Sequence, residues 1–330
     1  MIRVLRCSFD KLTPEAKGNM KKIIEVKDMS EFRSRLEQIL GGDSIRTDEP
    51  MRTHTTFRIG GPADYFVTPE TKEQLSELLQ LCKREQKPYY VLGNGSNLLV
   101  SDDGYRGVVI AMTKHWNDCE VQGNRLFVGA GMFLSRIAKR AKEASLTGFE
   151  FAAGIPGSFG GALVMNAGAY GGEMKQVVFS AKVMDANGEI LELTREELEF
   201  GYRTSCIARN GYLVLGGVIQ LQPGDPDAIQ ARMSEIALQR KTKQPLEYPS
   251  AGSTFKRPAG HFAGKLIDDA GLRGFQVGGA QVSEKHGGFV INKDHATASD
   301  VRQLCQEVTK RVKEQFGVDL EMEVRVLGKI

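Results

Sequence analysis

Two stretches of this chain shed their side chains while keeping apolar residues among them, and both could do chemistry. The first runs from Val91 to Val100 (VLGNGSNLLV), with Gly93 and Gly95 on either side of Asn94. The second, from Ala153 to Gly172 (AGIPGSFGGALVMNAGAYGG), holds seven glycines in twenty residues, interleaved with Ile155, Phe159, Leu163, Val164 and Met165. Small residues free successive backbone N–H groups to point at one spot, and a diphosphate is the usual occupant of such a nest. A plain hairpin loop accounts for the first stretch equally well when it stands alone. Flexible glycine linkers do not carry the apolar content of the second. Its bare backbone marks close approach to something flat or polyanionic, with the apolar residues anchoring the loop. Tight helix packing is the competing structural account. A long cofactor touched by two separate glycine loops explains more.

Other ligand classes are disfavoured. The first stretch is not a dinucleotide fingerprint, because its third glycine position is Leu98 and the residues up to Gly104 read as strand and turn where that motif needs a helix. No G-x-x-x-x-G-K-[ST] occurs, which argues against a P-loop ATPase. Five scattered cysteines (Cys7, Cys82, Cys119, Cys206, Cys305) form neither a paired framework nor C-x-x-C. Five histidines show no H-E-x-x-H, so no metal is expected. Lys plus Arg number 44 against 41 Asp plus Glu, a net charge of +3 that gives no electrostatic case for nucleic acid or a membrane surface. No run approaches about 18 apolar residues and no signal-like segment opens the chain, so a soluble cytoplasmic protein is expected.

The 330 residues suggest two or three compact units. The lysine-rich opening reads as an extension over 1–50, loosely attached over 1–22, with a helix over 29–40 stopped by Gly41. A strand and glycine turn over 57–62, a strand over 63–67 and a helix over 71–85 capped by Thr71 follow. Short strands over 89–92, 98–100 and 108–112, a helix over 134–144 and strands over 180–184, 189–193 and 212–222 complete an α+β unit over 51–224, with subdomains of about 51–116 and 117–224. Asn187-Gly188 reads as a type I′ hairpin turn. Pro223 to Pro226 is a rigid polar connector, and 225–330 forms a further αβ domain with amphipathic helices over 227–240 and 299–316, a short helix over 264–270 and strands over 288–292 and 320–327.

The motifs TTFRIGGPA (55–63), GNGSNLL (93–99), GIPGSFGG (154–161), NAG (166–168), YRTS (202–205), AGSTFK (251–256), AGLRG (270–274) and EMEVR (321–325) run in one order through the chain. Together they strongly resemble the UDP-N-acetylenolpyruvoylglucosamine reductase (MurB) family, in its subgroup lacking the tyrosine lid loop. The resemblance implies an α+β protein with a two-part FAD-binding domain of the PCMH, or vanillyl-alcohol-oxidase, type and a C-terminal substrate domain. It implies FAD and NADPH as cofactors and UDP-N-acetylglucosamine-enolpyruvate as substrate, in the synthesis of peptidoglycan precursors. FAD would then lie on Gly93, Asn94, Gly95, Ser96, Asn97 and Leu98 of the first loop, and on Gly154, Ile155, Gly157, Ser158, Gly160, Gly161, Asn166 and Gly168 of the second.

Reducing an enol ether conjugated to a carboxylate takes a hydride for one alkene carbon, stabilisation of the enolate-like charge and a proton for the other carbon. By family match Arg203 is catalytic; its permanently charged, planar guanidinium suits a developing oxyanion. The match makes Ser253 the proton donor and Glu323 the catalytic carboxylate beside Arg203, with Glu321 two residues away on the same predicted strand face. Lys243, Lys256 and His286 carry over as substrate contacts, whereas Arg257 stands where many relatives have Asn. Two other readings compete: an alcohol-oxidising flavin oxidase of the same fold, and a flavin-storing module without turnover.

Overall fold

The structure, a computed structural model, describes residues 30–329. The chain up to residue 29, and with it the extension read at 1–22, lies outside the described residues, as does Ile330. A first compact unit ends at Ile45 and contains a helix over 30–40. Phe32, Leu36 and Leu40 recur on one stripe of it, and Gly41 ends it at φ 76.

The remainder, from Arg46, builds three packed parts. In the first, Pro62–Val67 and Tyr89–Leu92 both pair in parallel with Tyr105–Ala111. Parallel neighbours need a crossover, and the helix Lys72–Arg84 supplies it. Thr71 caps that helix by accepting from the Gln74 N–H, and Leu75, Leu78, Leu79 and Cys82 bury one face. Burial pushes the Cys82 thiol up to about 12, so it packs as an apolar group. The segment expected as a strand and glycine turn over 57–62 holds no strand before Pro62. Arg58 at φ 55 and Gly60 at φ 136 cannot continue an extended chain, although Phe57 and Ile59 are buried.

The second part is a five-stranded antiparallel sheet in the order Ile190–Thr194, Val178–Met184, Leu213–Gln220, Arg125–Gly129, Cys119–Gln122. The hairpin joining Val178–Met184 to Ile190–Thr194 is not a two-residue turn. Asp185 N–H donates to Glu189 O, and of the two predicted positions only Gly188 has positive φ, at 85. The Asp185 carboxylate accepts from the Asn187 and Glu189 N–H groups and selects this longer loop. Helices Leu134–Glu143 and Phe159–Met165 pack in this part, as does Pro226–Lys243, which lies against Leu134–Glu143 and the turn Glu150–Ala152 although it follows the predicted connector.

In the third part Ser250–Ser253, Phe289–Asn292, Ala280–Val282 and Gln276–Val277 form an antiparallel sheet. Val301, Leu304, Cys305, Val308 and Val312 of helix Ala298–Phe316 join Ile267 and Val290 in its core. This core is shared with Phe57, Ile59 and Leu99 of the first part. Asp102 fastens the same junction, accepting from the Ala298 and Ser299 N–H groups at the start of the helix. The strand expected over 320–327 is regular only over Arg325–Leu327. Upstream of it, Met322 bridges to Phe255, while Arg325–Leu327 pairs in parallel with Leu98–Val100. One segment thus serves two partners and cannot stay in one strand. Among the described residues no helix is long and apolar enough to cross a membrane.

Candidate active site

The first glycine loop joins Tyr89–Leu92 to Leu98–Val100 and needs its glycines for space. Gly95 sits at φ 60, where an added Cβ would lie 2.1 Å from His54 O. A Cβ on Gly93 would lie 2.2 Å from Ser158 Oγ in the second loop. The Asn94 side chain donates to Pro156 O at 2.7 Å, which holds the two loops together. Thr56 braces the arrangement, its N–H donating to Gly95 O and its hydroxyl to Ser250 O.

The second loop runs into the helix Phe159–Met165, and Ser158 precedes its first turn. The buried Ser158 Oγ has no hydrogen-bond partner among the described residues. A buried hydroxyl without a partner is costly, so it marks a place where a ligand atom belongs. The helix ends at Asn166, whose backbone is left-handed at φ 44. Its buried amide donates to Glu173 Oε2 and Gly201 O and accepts from the Lys175 N–H. Ser205 Oγ donates to Val164 O on the same helix. The turn between Gly201 and Ser205 is therefore pinned at both ends to the helix that follows the second glycine loop.

Arg203 is at the tip of that turn, at φ 57. Its Nε donates to Glu323 Oε1 at 2.7 Å, and its guanidinium lies 5.3 Å from the Tyr202 ring centroid. The Tyr202 hydroxyl accepts from the Arg257 N–H, so Arg257 contributes its backbone to the Arg203 turn. Burial raises the Glu323 pKa, and the nearby positive charges of Arg203 and Lys256 oppose that rise without cancelling it. Glu323 is held by its backbone too: its N–H donates to Thr254 O and its carbonyl accepts from Asn97 Nδ2. Glu321 is exposed instead and pairs with Lys256, which separates the two carboxylates clearly.

Ser253 ends the edge strand Ser250–Ser253, where the register to Phe289–Asn292 is irregular. Gly252 at φ 77 makes that irregularity and turns Ser253 to the cleft. One cavity of about 450 Å³ is lined by both glycine loops together with Arg203, Ser253 and Glu323. Its lining takes in Gly93 to Leu98, Ile155, Gly157, Ser158, Gly160, Gly161 and Gly168 of the predicted cofactor residues. Gly154 and Asn166 are not in the lining; Gly154 abuts the Arg240 side chain and Asn166 faces inward. Lys243, Lys256 and His286 also stand outside it. Lys243 is exposed at its helix end, and the His286 ring packs edge-on to Phe289 with its pKa lowered by burial. Sequence reasoning missed Arg240, Gln244 and Arg325 in the lining. Only the alternation of Arg325 with Glu323 could have signalled one of them.

The bare glycine faces and the unpartnered Ser158 hydroxyl fit a cofactor whose polar atoms lie close to backbone. A model described as an FAD binding domain matches residues 63–194, and one for the C-terminal domain of UDP-N-acetylenolpyruvoylglucosamine reductase matches residues 244–327. The reductases of that name from Clostridium novyi and Clostridioides difficile are each 52% identical to this chain, over 299 and 294 residues. The alignments cover 91% and 89% of this chain and 97% of each relative. The crystal structure of UDP-N-acetylenolpyruvylglucosamine reductase (MurB) from Thermus caldophilus is similar with a TM-score of 0.74 and 38% identity, covering 86% of this chain and 98% of that one. The chain belongs to the UDP-N-acetylenolpyruvoylglucosamine reductase family and is an FAD-dependent oxidoreductase.

Proposed function

We propose that this chain reduces the enolpyruvyl double bond of UDP-N-acetylglucosamine-enolpyruvate, with NADPH as the ultimate reductant, to give UDP-N-acetylmuramate. The observation that carries this reading is the convergence of Arg203, Ser253 and Glu323 on the cavity lined by both glycine loops. The loops Gly93 to Leu98 and Gly157 to Gly161 would hold FAD, which once reduced by NADPH would supply the hydride for one alkene carbon. The chain's own residues do the rest. Arg203 spends its Nε on Glu323, and its terminal nitrogens have no acceptor among the described residues. They are free to grip the substrate carboxylate and to hold it more tightly as enolate charge develops. Glu323 fixes the guanidinium plane. Ser253 Oγ has no acceptor among the described residues and gives its proton to the second alkene carbon, its exposed position allowing reprotonation from water.

Lys256, engaged with Glu321, contributes positive charge beside Glu323; Lys243 and His286, which lie outside the cavity lining, are proposed as substrate contacts on the family motifs alone. The test is an anaerobic NADPH titration of the purified chain, followed through the flavin absorbance near about 450 nm. Bleaching by NADPH, and return of the colour only on adding the enolpyruvyl UDP-sugar, is the expected result. Rapid recolouring by air alone would favour the oxidase reading, and a bound flavin that NADPH leaves unchanged would favour storage.

A further inference from the structure

Arg240 lies in the last turn of the helix Pro226–Lys243 and lines the cleft. Its stem crosses the second glycine loop where that loop has no side chain: a Cβ on Gly154 would lie 2.4 Å from Arg240 Cδ and 2.8 Å from Nε. The glycine that opens the motif therefore makes room for this arginine. Most charged side chains this far out of water find a counter-charge. The Arg240 guanidinium has no acceptor among the described residues, and burial lowers its pKa with only the Tyr170 phenol acting against that. Since a guanidinium stays protonated in proteins, a cation is held partly stripped of water with no anion in return.

A second observation lies one helical turn on. Gln244 also lines the cleft, and its buried Oε1 has no partner among the described residues, while its N–H donates to Arg240 O and fixes the two side chains to one turn. A planar five-donor fork matches a phosphoryl oxyanion, and a free amide oxygen matches a hydroxyl or amine. Phosphate and hydroxyl occur side by side in a nucleotide. We propose that Arg240 and Gln244 together hold a phosphoryl group and the adjoining sugar or base donor of a nucleotide bound in this cleft. The assignment rests on the flavin-site reading above. FAD, the UDP-sugar and NADPH all carry this chemistry, so the experiment separates them.

Full-length wild type, Arg240→Gln, Arg240→Lys and Gln244→Ala are stripped of flavin and titrated with FAD by flavin fluorescence. The FAD-loaded proteins are then titrated with UDP by calorimetry and with NADPH by anaerobic flavin bleaching. Arg240→Gln is expected to weaken one of the three nucleotides by about tenfold or more, the scale of one charge-assisted hydrogen bond. Arg240→Lys should recover part of that loss, Gln244→Ala should lose less, and the wild-type advantage should shrink as salt rises. The nucleotide whose affinity falls is the one held. Wild type that takes up no FAD overturns the flavin-site reading and this assignment with it. Wild type that takes up FAD, beside variants that bind all three nucleotides within about twofold of it, overturns this assignment alone.

Discussion

Arg203 Nε donates to Glu323 Oε1 at 2.7 Å across 120 residues of chain. Both side chains are largely withdrawn from solvent, 24% and 12% exposed, so removing either leaves its partner charged and unmatched. Arg203→Gln and Glu323→Gln should each lower turnover by about 10²–10³-fold. The double variant should be no worse than the poorer single one by more than about threefold, because the two act as one unit. Steady-state kcat/KM values around the four-member cycle decide this; fully multiplicative losses would show two independent groups.

The pH profile should report the same pair. The Glu323 pKa is raised by burial, and the ion pair with Arg203 needs the ionised carboxylate. Activity should therefore be full above the raised pKa and fall as pH drops through it, with the acid limb above the ordinary value of 4.5. Glu323→Gln should be slow and should lack that limb. The sign for stability is opposite, since a raised carboxyl pKa favours the folded chain below the ordinary value and loses that advantage as pH rises through the folded one. A pH–rate profile with the limb unmoved in Glu323→Gln would assign it to another group.

Ser253→Ala removes a hydroxyl from an exposed strand end, so folding should be intact. Bleaching of bound FAD by NADPH should proceed at the wild-type rate while reoxidation by the enolpyruvyl UDP-sugar slows by about 10²–10⁴-fold. Stopped-flow traces of the two half-reactions separate these. Equal slowing of both would remove Ser253 from proton delivery.

Asn166→Gly tests how the second loop positions Arg203. Glycine keeps the left-handed backbone at φ 44 but deletes the amide that holds Gly201 O and the Lys175 N–H. We expect a stability loss of about 1–3 kcal/mol from the orphaned buried groups. FAD uptake should survive while kcat falls, since the amide faces the Arg203 turn and not the cavity. Loss of FAD affinity with unchanged kcat of the loaded enzyme would return Asn166 to cofactor binding.

Much of the frame was legible because its signals are local. Thr71 before Lys72–Arg84 and Gly41 after the helix over 30–40 each act on the residues beside them. The glycine loops were legible as places of close backbone approach for the same reason. The convergence of Arg203, Ser253 and Glu323 was not legible from spacing: Arg203 and Glu323 meet where Asn97, Thr254 and Asn166 each tie one segment to another far along the chain. Where the Asn166 amide points was not legible from the motif, because it depends on the left-handed backbone that turns the amide toward Gly201 O and the Lys175 N–H. Arg240 went unread because a basic residue in the last turn of a helix already has an ordinary explanation in the helix dipole.

The parallel pairing of Leu98–Val100 with Arg325–Leu327 bears on how the protein matures. The first glycine loop leads directly into Leu98–Val100, so its final shape waits for a ladder whose other rail is made far later in the chain. Contacts of such high sequence separation close late in folding. The isoalloxazine carrier should accordingly load onto a nearly finished molecule, and a fragment limited to residues 63–194 should bind it poorly however well its own sheets form.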